Sequence, residues 1–393
     1  QGSSKPTQCA LICTPGANSA CPTGATCQAI QGEGICTYPV STSTAKTSSS
    51  FVSNSAVSYT KASPELRAAH PDVASLVDAI AADPVGMAKA LKLYSAKTIA
   101  PVMEPLERDA RLGNASLPVV VTHGMGDSCF NAGMESITQF AGEQVGAYAT
   151  CIPTGDNLIA DTLNGFVLNM DKSVDVFAKK VRADPKLANG FNAFSLSQGS
   201  QLIRGYIIKY NDPPVHGFMS ICGVNAGVGT FPQCSPDTPI IGGICKTIDG
   251  ILGAAAYTDL LQETLFQANY YRDPALTNTS TYLNHSQLAD WGNEGSVNST
   301  YVANFAKTSQ FVWVKGTKDT VVWPQDGEWW GAPDPAAPWT KVDPMNETLW
   351  YTKDTFGLKT ADKAGKNHFE SFPGEHIRMT NAELSAWLKK YFM

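Results

Sequence analysis

The residues of this 393-residue chain best placed to do chemistry lie in Ser195-Leu-Ser197-Gln-Gly199. The apolar run Phe191-Asn-Ala-Phe-Ser-Leu196 reads as a strand, and a helical pattern follows at once from Gln198 to about Tyr210. A serine at so abrupt a strand-to-helix turn has its hydroxyl pushed out of the sheet edge, with small residues needed on both sides, a pattern written Gly-x-Ser-x-Gly. Ser195 stands where the first glycine is usual and is small enough to fit. The plainer reading of Ser197 is a helix N-cap. A serine hydroxyl becomes a nucleophile only beside a base, and the base needs an acid to orient it. Asp319 follows the apolar run Phe311-Val-Trp-Val-Lys315, at a strand's C-terminal end, where such sheets gather their sites. Asp326 is its rival, and Asp319 is preferred as the nearer to the strand end. His376, in Phe-Pro-Gly-Glu-His376-Ile just before the last helical pattern, is the expected base, with His368 as the alternative. Asp319 and Asp326 each read equally well as a solvated loop acid, and His368 lies at the edge of a probable strand. The chain order Ser, Asp, His fits one known arrangement of this triad.

Acyl transfer also needs donors for a tetrahedral oxyanion, and losing one typically costs ~3–4 kcal/mol. Thr122-His-Gly-Met-Gly-Asp127 follows the apolar run Leu117–Thr122, and its glycines let backbone N–H groups turn toward a carbonyl oxygen. The donors are assigned to the backbone N–H of Met125 and of Gln198; the bland reading is a tight turn.

The elements that position these residues alternate. Leu117–Thr122, Phe191–Leu196, His216–Cys222 and Phe311–Lys315 are short apolar strands separated by helical stretches, which implies an α/β fold with a mostly parallel sheet covered by helices on both faces. The chain closes with a helix from Asn381 to about Tyr391, with Thr380 and Glu383 spaced as a capping box. Upstream, residues 1–38 form a cysteine-rich, disulfide-stapled module and 39–62 a Ser/Thr-rich linker. Residues 63–113 form a helical extension of two or three helices broken near Pro84, which packs on the body or covers its cleft. Residues 114–393 form the catalytic domain. The first module reads either as a binding unit for an unknown ligand or as a structural knot. Tyr38 is its one aromatic, too few for a carbohydrate-binding face.

A net charge of −6, with no Lys/Arg cluster, argues against nucleic acid as a partner. No stretch approaches the ~20 apolar residues of a membrane helix. Five of the ten cysteines (Cys9, Cys13, Cys21, Cys27, Cys36) fall near the start, and five Asn-x-Ser/Thr sequons occur at Asn114, Asn278, Asn284, Asn298 and Asn346. Together they point to the secretory pathway, ending in a lysosome or vacuole or outside the cell, with glycosylation at those asparagines. The chain begins at Gln1, and any signal peptide is expected to have been removed.

At this point the residues resemble the type 1 lysosomal palmitoyl-protein thioesterases. The likeness runs from about Leu117 to the C-terminus and rests on His123-Gly-Met-Gly-Asp-Ser-Cys129, Gly190-Phe-Asn-Ala193, Ser197-Gln-Gly199, Gln267-Ala-Asn-Tyr-Tyr-Arg-Asp-Pro274, Asn284-His-Ser286, Glu328-Trp-Trp-Gly331 and Tyr351-Thr-Lys-Asp354. It implies an α/β-hydrolase fold with a helical insertion after the sixth strand, here about 230–305, and removal of palmitate and similar chains from S-acylated proteins or peptides or acyl-CoA-like thioesters. The catalytic residues carry over onto Ser197, Asp319 and His376, and the oxyanion donors onto Met125 and Gln198. The family's disulfide in the insertion matches Cys234 and Cys245. Its adjacent cysteine pair does not carry over, because Phe130 follows Cys129, and Cys151 is the new partner expected for Cys129. Two glycosylation sites of the family match Asn284 and Asn298. Cys222, within an apolar run, reads as a buried free thiol.

No metal or cofactor is implied, since no His/Cys cluster in the catalytic region has ligand spacing. A long acyl chain needs an apolar groove, at ~0.8 kcal/mol per buried CH₂. The insertion offers Ile240, Ile244, Ile248, Leu252, Leu261, Leu265 and Phe266 among others, though most of these also read as core. Two rivals remain: a secreted lipase or cutinase-like esterase using the same triad, and a non-catalytic lipid-binding or adhesion protein on a hydrolase fold.

Overall fold

The computed structural model describes residues 59–98, 116–231 and 253–393, with backbone alone for 92–98 and for three short strands before residue 38. Asn114, Cys234, Cys245, residues 39–58 of the expected linker and the insertion from 232 to 252 lie outside the described residues. The chain divides into two units, Gln1–Ala56 and Val57–Met393. In the first, β1 (Ile12–Cys13), β2 (Thr26–Ile30) and β3 (Glu33–Thr37) pair antiparallel in the order β1-β3-β2.

The second unit carries β4 (Val119–Thr122), β5 (Ala149–Cys151), β6 (Phe191–Leu196), β7 (Val215–Ile221), β8 (Gln310–Gly316), the two-residue strands β9 (Ala332–Pro333) and β10 (Val342–Asp343), and β11 (Asn367–Phe372). Six of them form one sheet in the order β11-β8-β7-β6-β4-β5, with every neighbouring pair parallel. The first strand opens at Val119 rather than Leu117, since Pro118 has no N–H to give a ladder. Pleating sends alternate residues to opposite faces. Val119, Val121, Phe194, Leu196, Val312 and Val314 enter one core, while Val120, Phe191, Ala193, Phe311 and Trp313 enter the other. That is why these runs are apolar throughout rather than alternating.

Helices cover both faces. On the first lie α3 (Pro84–Thr98), α4 (Ala132–Val145) and the C-terminal helix Asn381–Phe392, which contribute Met87, Leu91, Met134, Ile137, Ala141, Leu384 and Leu388. On the second lie α6 (Met170–Ala183) and α7 (Gly199–Lys209), through Val174, Phe177, Leu202, Ile203 and Tyr206. The expected capping box is present at the last helix, where Thr380 Oγ1 accepts the Glu383 N–H and the Glu383 carboxylate accepts the Thr380 N–H.

The upstream extension forms three helices, α1 (Pro64–Ala69), α2 (Pro71–Ala82) and α3, each opened by a proline whose missing N–H is harmless there. It packs on the body. Leu76, Ile80 and Met87 join the sheet core, whereas Leu66, Val73 and Ala74 pack with Tyr257, Leu261 and Leu265 of the insertion. His70 Nε2 lies 3.0 Å from Thr258 Oγ1. Among the described residues the insertion leaves the sheet between β7 and β8, after the fourth main-sheet strand in chain order rather than the sixth. Its helices there are Asp259–Thr264, Phe266–Tyr270, Ser280–His285, Gln287–Trp291 and Ser299–Lys307. Leu261, Leu265 and Phe266 are plain core.

Candidate active site

The site is built at the C-terminal ends of β4, β6, β7 and β8. Chain leaving β6 turns at Ser197, whose φ of 53° is left-handed. A non-glycine residue there stores roughly 1–3 kcal/mol of strain, which its surroundings must hold. Two contacts hold it. The Ser197 N–H donates to Ile221 O at 3.0 Å, and Thr122 Oγ1 donates to Gly199 O at 3.0 Å. A Cβ on residue 199 would sit 2.6 Å from His123 O, so only glycine lets α7 start this close to β4. Ser195 is fully buried with its Oγ unpartnered, so the replaced elbow glycine fits sterically and leaves one polar atom unsatisfied.

The turn aims Ser197 Oγ at His376 Nε2, 2.8 Å away, and His376 Nδ1 donates to Asp319 Oδ2 at 2.5 Å. Asp319 Oδ1 accepts the N–H groups of Val321 and Val322 at 2.7 and 3.0 Å. The three side chains are nearly dry, at 4%, 1% and 6% exposure for Ser197, His376 and Asp319, so their mutual electrostatics act with little screening. Burial pushes the Asp319 carboxyl up, but the imidazole and the Val322 N–H outweigh it and hold the pKa below its ordinary value. The two rivals lie elsewhere. Asp326 is solvated and pairs with Lys315 at 2.8 Å, and the His368 ring sits 5.1 Å from that of Tyr391. Backbone strain recurs here, since Cys222 and the β-branched Ile377 also have positive φ, 46° and 48°.

On the other side of Ser197, Met125 and Gln198 are buried, and among the described residues neither backbone N–H has an acceptor. The Gln198 side chain is clamped: its Nε2 donates to Gly165 O at 2.9 Å, and its Oε1 accepts from Gln267 Nε2 and Tyr270 OH at 2.9 and 3.0 Å. Beneath the loop sits a second His–Asp pair. His123 Nδ1 donates to Gly124 O at 2.9 Å, and its Nε2 lies 3.2 Å from Asp161 Oδ2, out of line for a hydrogen bond but close as an ion pair. Asp161, fully buried, also accepts from Ser128 Oγ, the N–H of Cys129, Thr154 and Gly155, and Thr154 Oγ1. Burial alone would lower the His123 pKa, yet Asp161 raises it to about 9, and the same partner drives Asp161 far below the carboxylate range. A disulfide joins Cys129 to Cys151, 22 residues apart, beside this pair. Cys222 is a buried free thiol.

A family model described as palmitoyl protein thioesterase matches residues 118–376. The chain belongs to the palmitoyl-protein thioesterase family. It is 35% identical over 287 residues to palmitoyl-protein thioesterase 1 of Caenorhabditis elegans, covering 72% of this chain and 94% of that one. It is 29% identical to palmitoyl-protein thioesterase 3 of Dictyostelium discoideum over 72% of this chain and 91% of that one. A thioesterase–dolichyl pyrophosphate phosphatase fusion of Schizosaccharomyces pombe is 26% identical, over 70% of this chain and 43% of the fusion. The thioesterase-family span opens just before β4 and ends at His376, and its fold is that of the α/β-hydrolases.

Within this thioesterase-family region, four residues around the site carry no mark in the sequence. Asp161, Glu328 and the Gln267/Tyr270 pair were visible only as members of strings or helices, with no spacing to mark them. Four of the sequon asparagines, Asn278, Asn284, Asn298 and Asn346, are exposed.

Proposed function

We propose that this family member hydrolyses long-chain fatty acyl thioesters on cysteines of proteins or peptides through an acyl-enzyme on Ser197. His376 takes the Ser197 proton as the oxygen attacks the thioester carbonyl, and Asp319 orients the imidazole and stabilises its charge. The backbone N–H groups of Met125 and Gln198 receive the developing oxyanion. The carbonyl re-forms as the cysteine thiolate leaves with the proton held by His376. Water, deprotonated by the same imidazole, then attacks the ester carbonyl, and Ser197 departs with its proton restored as the fatty acid is released. The observation that carries this reading is the hydrogen-bonded chain from Ser197 Oγ through His376 to Asp319, in a chain of this family.

The test compares release of palmitate from a palmitoyl-cysteine peptide with cleavage of the matching oxygen ester. Thioester cleavage is expected to dominate, and Ser197→Ala to lower it by ~10⁵–10⁶ in kcat. Cleavage of the oxygen ester alone would favour a lipase or cutinase-like activity, and unchanged turnover in Ser197→Ala would refute the site.

The secretory pathway, with a lysosome, vacuole or extracellular space as destination, belongs to the same proposal. Its supports are the Cys129–Cys151 disulfide, which persists in oxidising compartments, and the exposure of four sequon asparagines. The cysteine-rich module, linker, helical extension and catalytic domain are proposed as the working division of the chain.

A further inference from the structure

Glu328 lies on the 3₁₀ turn Gln325–Trp329 with no exposed surface. Its Oε2 accepts the Gly316 N–H at 3.0 Å, at the end of β8. Its Oε1 is buried and receives no N–H or O–H donor. Among the described residues it forms no ion pair with any Lys, Arg or His. The titratable groups that face it are Asp319 from the loop after β8 and Cys222 from the end of β7. Through Asp319 it is linked to His376, and the Cys222 Sγ, an Asp319 oxygen and a His376 nitrogen all lie within 4.8 Å of one another.

Two carboxyl groups packed together in a dry site, with no cation between them, cannot both be ionised. Which one keeps the proton follows from what each receives. Asp319 accepts two backbone N–H groups and the imidazole, all of which favour its charge, whereas Glu328 accepts a single N–H and faces the Cys222 thiol, a weak donor. Burial and the neighbouring Asp319 push the Glu328 pKa well up, and burial does the same to the Cys222 thiol. A protonated Oε1 is then a donor, and Asp319 is the acceptor beside it.

We propose that Glu328 holds a proton at Oε1 and donates it in a hydrogen bond to Asp319, as the positioning residue for the acid of the Ser197–His376–Asp319 chain. The inference rests on the triad reading above but not on the choice of acyl substrate. The bond holds the Asp319 carboxylate in the imidazole plane and draws off part of its charge. The second effect sets how tightly the imidazolium is held in each half-reaction.

Glutamine at this position can keep both contacts, its oxygen accepting from Gly316 and its amide donating to Asp319; leucine can keep neither. The experiment follows the rate at which a fluorophosphonate probe labels Ser197 against pH in full-length wild type, Glu328→Gln and Glu328→Leu, because labelling reads the triad whatever the natural substrate. Glu328→Gln is expected to label within about threefold of wild type. Glu328→Leu is expected to be slower by ~10–100-fold, the range for losing a hydrogen bond to a charged group. Its acid limb is expected at higher pH, because an Asp319 with undiminished charge holds the imidazolium more tightly. Difference infrared spectra of wild type minus Glu328→Gln, which need no leucine variant, should show the carbonyl stretch of a protonated carboxylic acid. Equal slowing in both variants with an unmoved limb would mean that Glu328 only fills space, and absence of the protonated-acid band would remove the donor; either overturns the proposal. A wild type that labels but cleaves no thioester sinks the substrate reading while leaving this comparison intact. One that does not label takes the triad and Glu328 down together.

Discussion

Two buried His–Asp pairs flank Ser197, and they are built for opposite purposes. In the pair beyond β8, His376 gives one nitrogen to Asp319 and leaves the other facing the Ser197 hydroxyl. In the pair under the β4 loop, both His123 nitrogens are committed, one to a carbonyl and one to Asp161, and Asp161 is saturated by five further donor contacts. That ring stays charged at neutral pH, held up to about 9. The same two residue types therefore face a nucleophile-type hydroxyl in one place and form an electrostatic bolt in the other. What faces the second ring nitrogen separates them: a hydroxyl at His376, a buried carboxylate at His123.

The contrast can be broken at several points. Asp319→Asn should cost ~10⁴ in kcat through the wrong imidazole tautomer, while moving the unfolding midpoint far less than the matching change at the other pair; steady-state hydrolysis with a thermal melt checks both. Asp161→Asn should do the reverse, leaving a buried imidazolium without its counter-charge at ~3–5 kcal/mol of stability, read by denaturant unfolding. If Asp161→Asn instead kept full stability and lost only activity, the bolt would be misassigned.

A smaller effect is expected in the pH dependence of stability. His123 is raised from an unfolded value near 6.5 to about 9, so its contribution is complete below about 6.5 and is lost as pH rises through about 9. Asp161 is depressed, so its contribution is present above its ordinary unfolded value and lost only in strong acid. Melting temperatures of His123→Gln should therefore fall less steeply than those of wild type on the alkaline side. The smallest effect belongs to β6, which runs between the two pairs. Ser195→Gly removes an unsatisfied hydroxyl, a gain of ~1–3 kcal/mol, and adds a strand glycine, a loss of ~0.5–1 kcal/mol. Its net change in unfolding free energy should lie between zero and a gain of about 2.5 kcal/mol, with kcat nearly unaltered.

Much of this was legible in the residues alone because it is local. Strand runs that are apolar at every position announce a sheet covered on both faces, and a small-x-Ser-x-Gly string between strand and helix announces a turn. What escaped notice is non-local. Asp161 sits on α5 (Leu158–Val167), with nothing around it in sequence to distinguish it from a solvated helix acid, and it is 38 residues from the histidine it pairs with. Glu328 looks no different from Asp326 two positions before it, yet one is sealed against Asp319 and the other reaches Lys315 in solvent.

By itself the sequence determined which backbone could be made: the glycine at 199 that admits α7 against β4, the proline-opened helices upstream, the order serine, aspartate, histidine along parallel strands. Tertiary structure decided the electrical state of the groups so assembled. Which aspartate meets His376, which histidine is trapped as a cation and which carboxyl lacks a counter-charge all depend on desolvation and on donors brought in from distant segments. A one-dimensional string holds no distances, and charge in a protein interior is settled by distance.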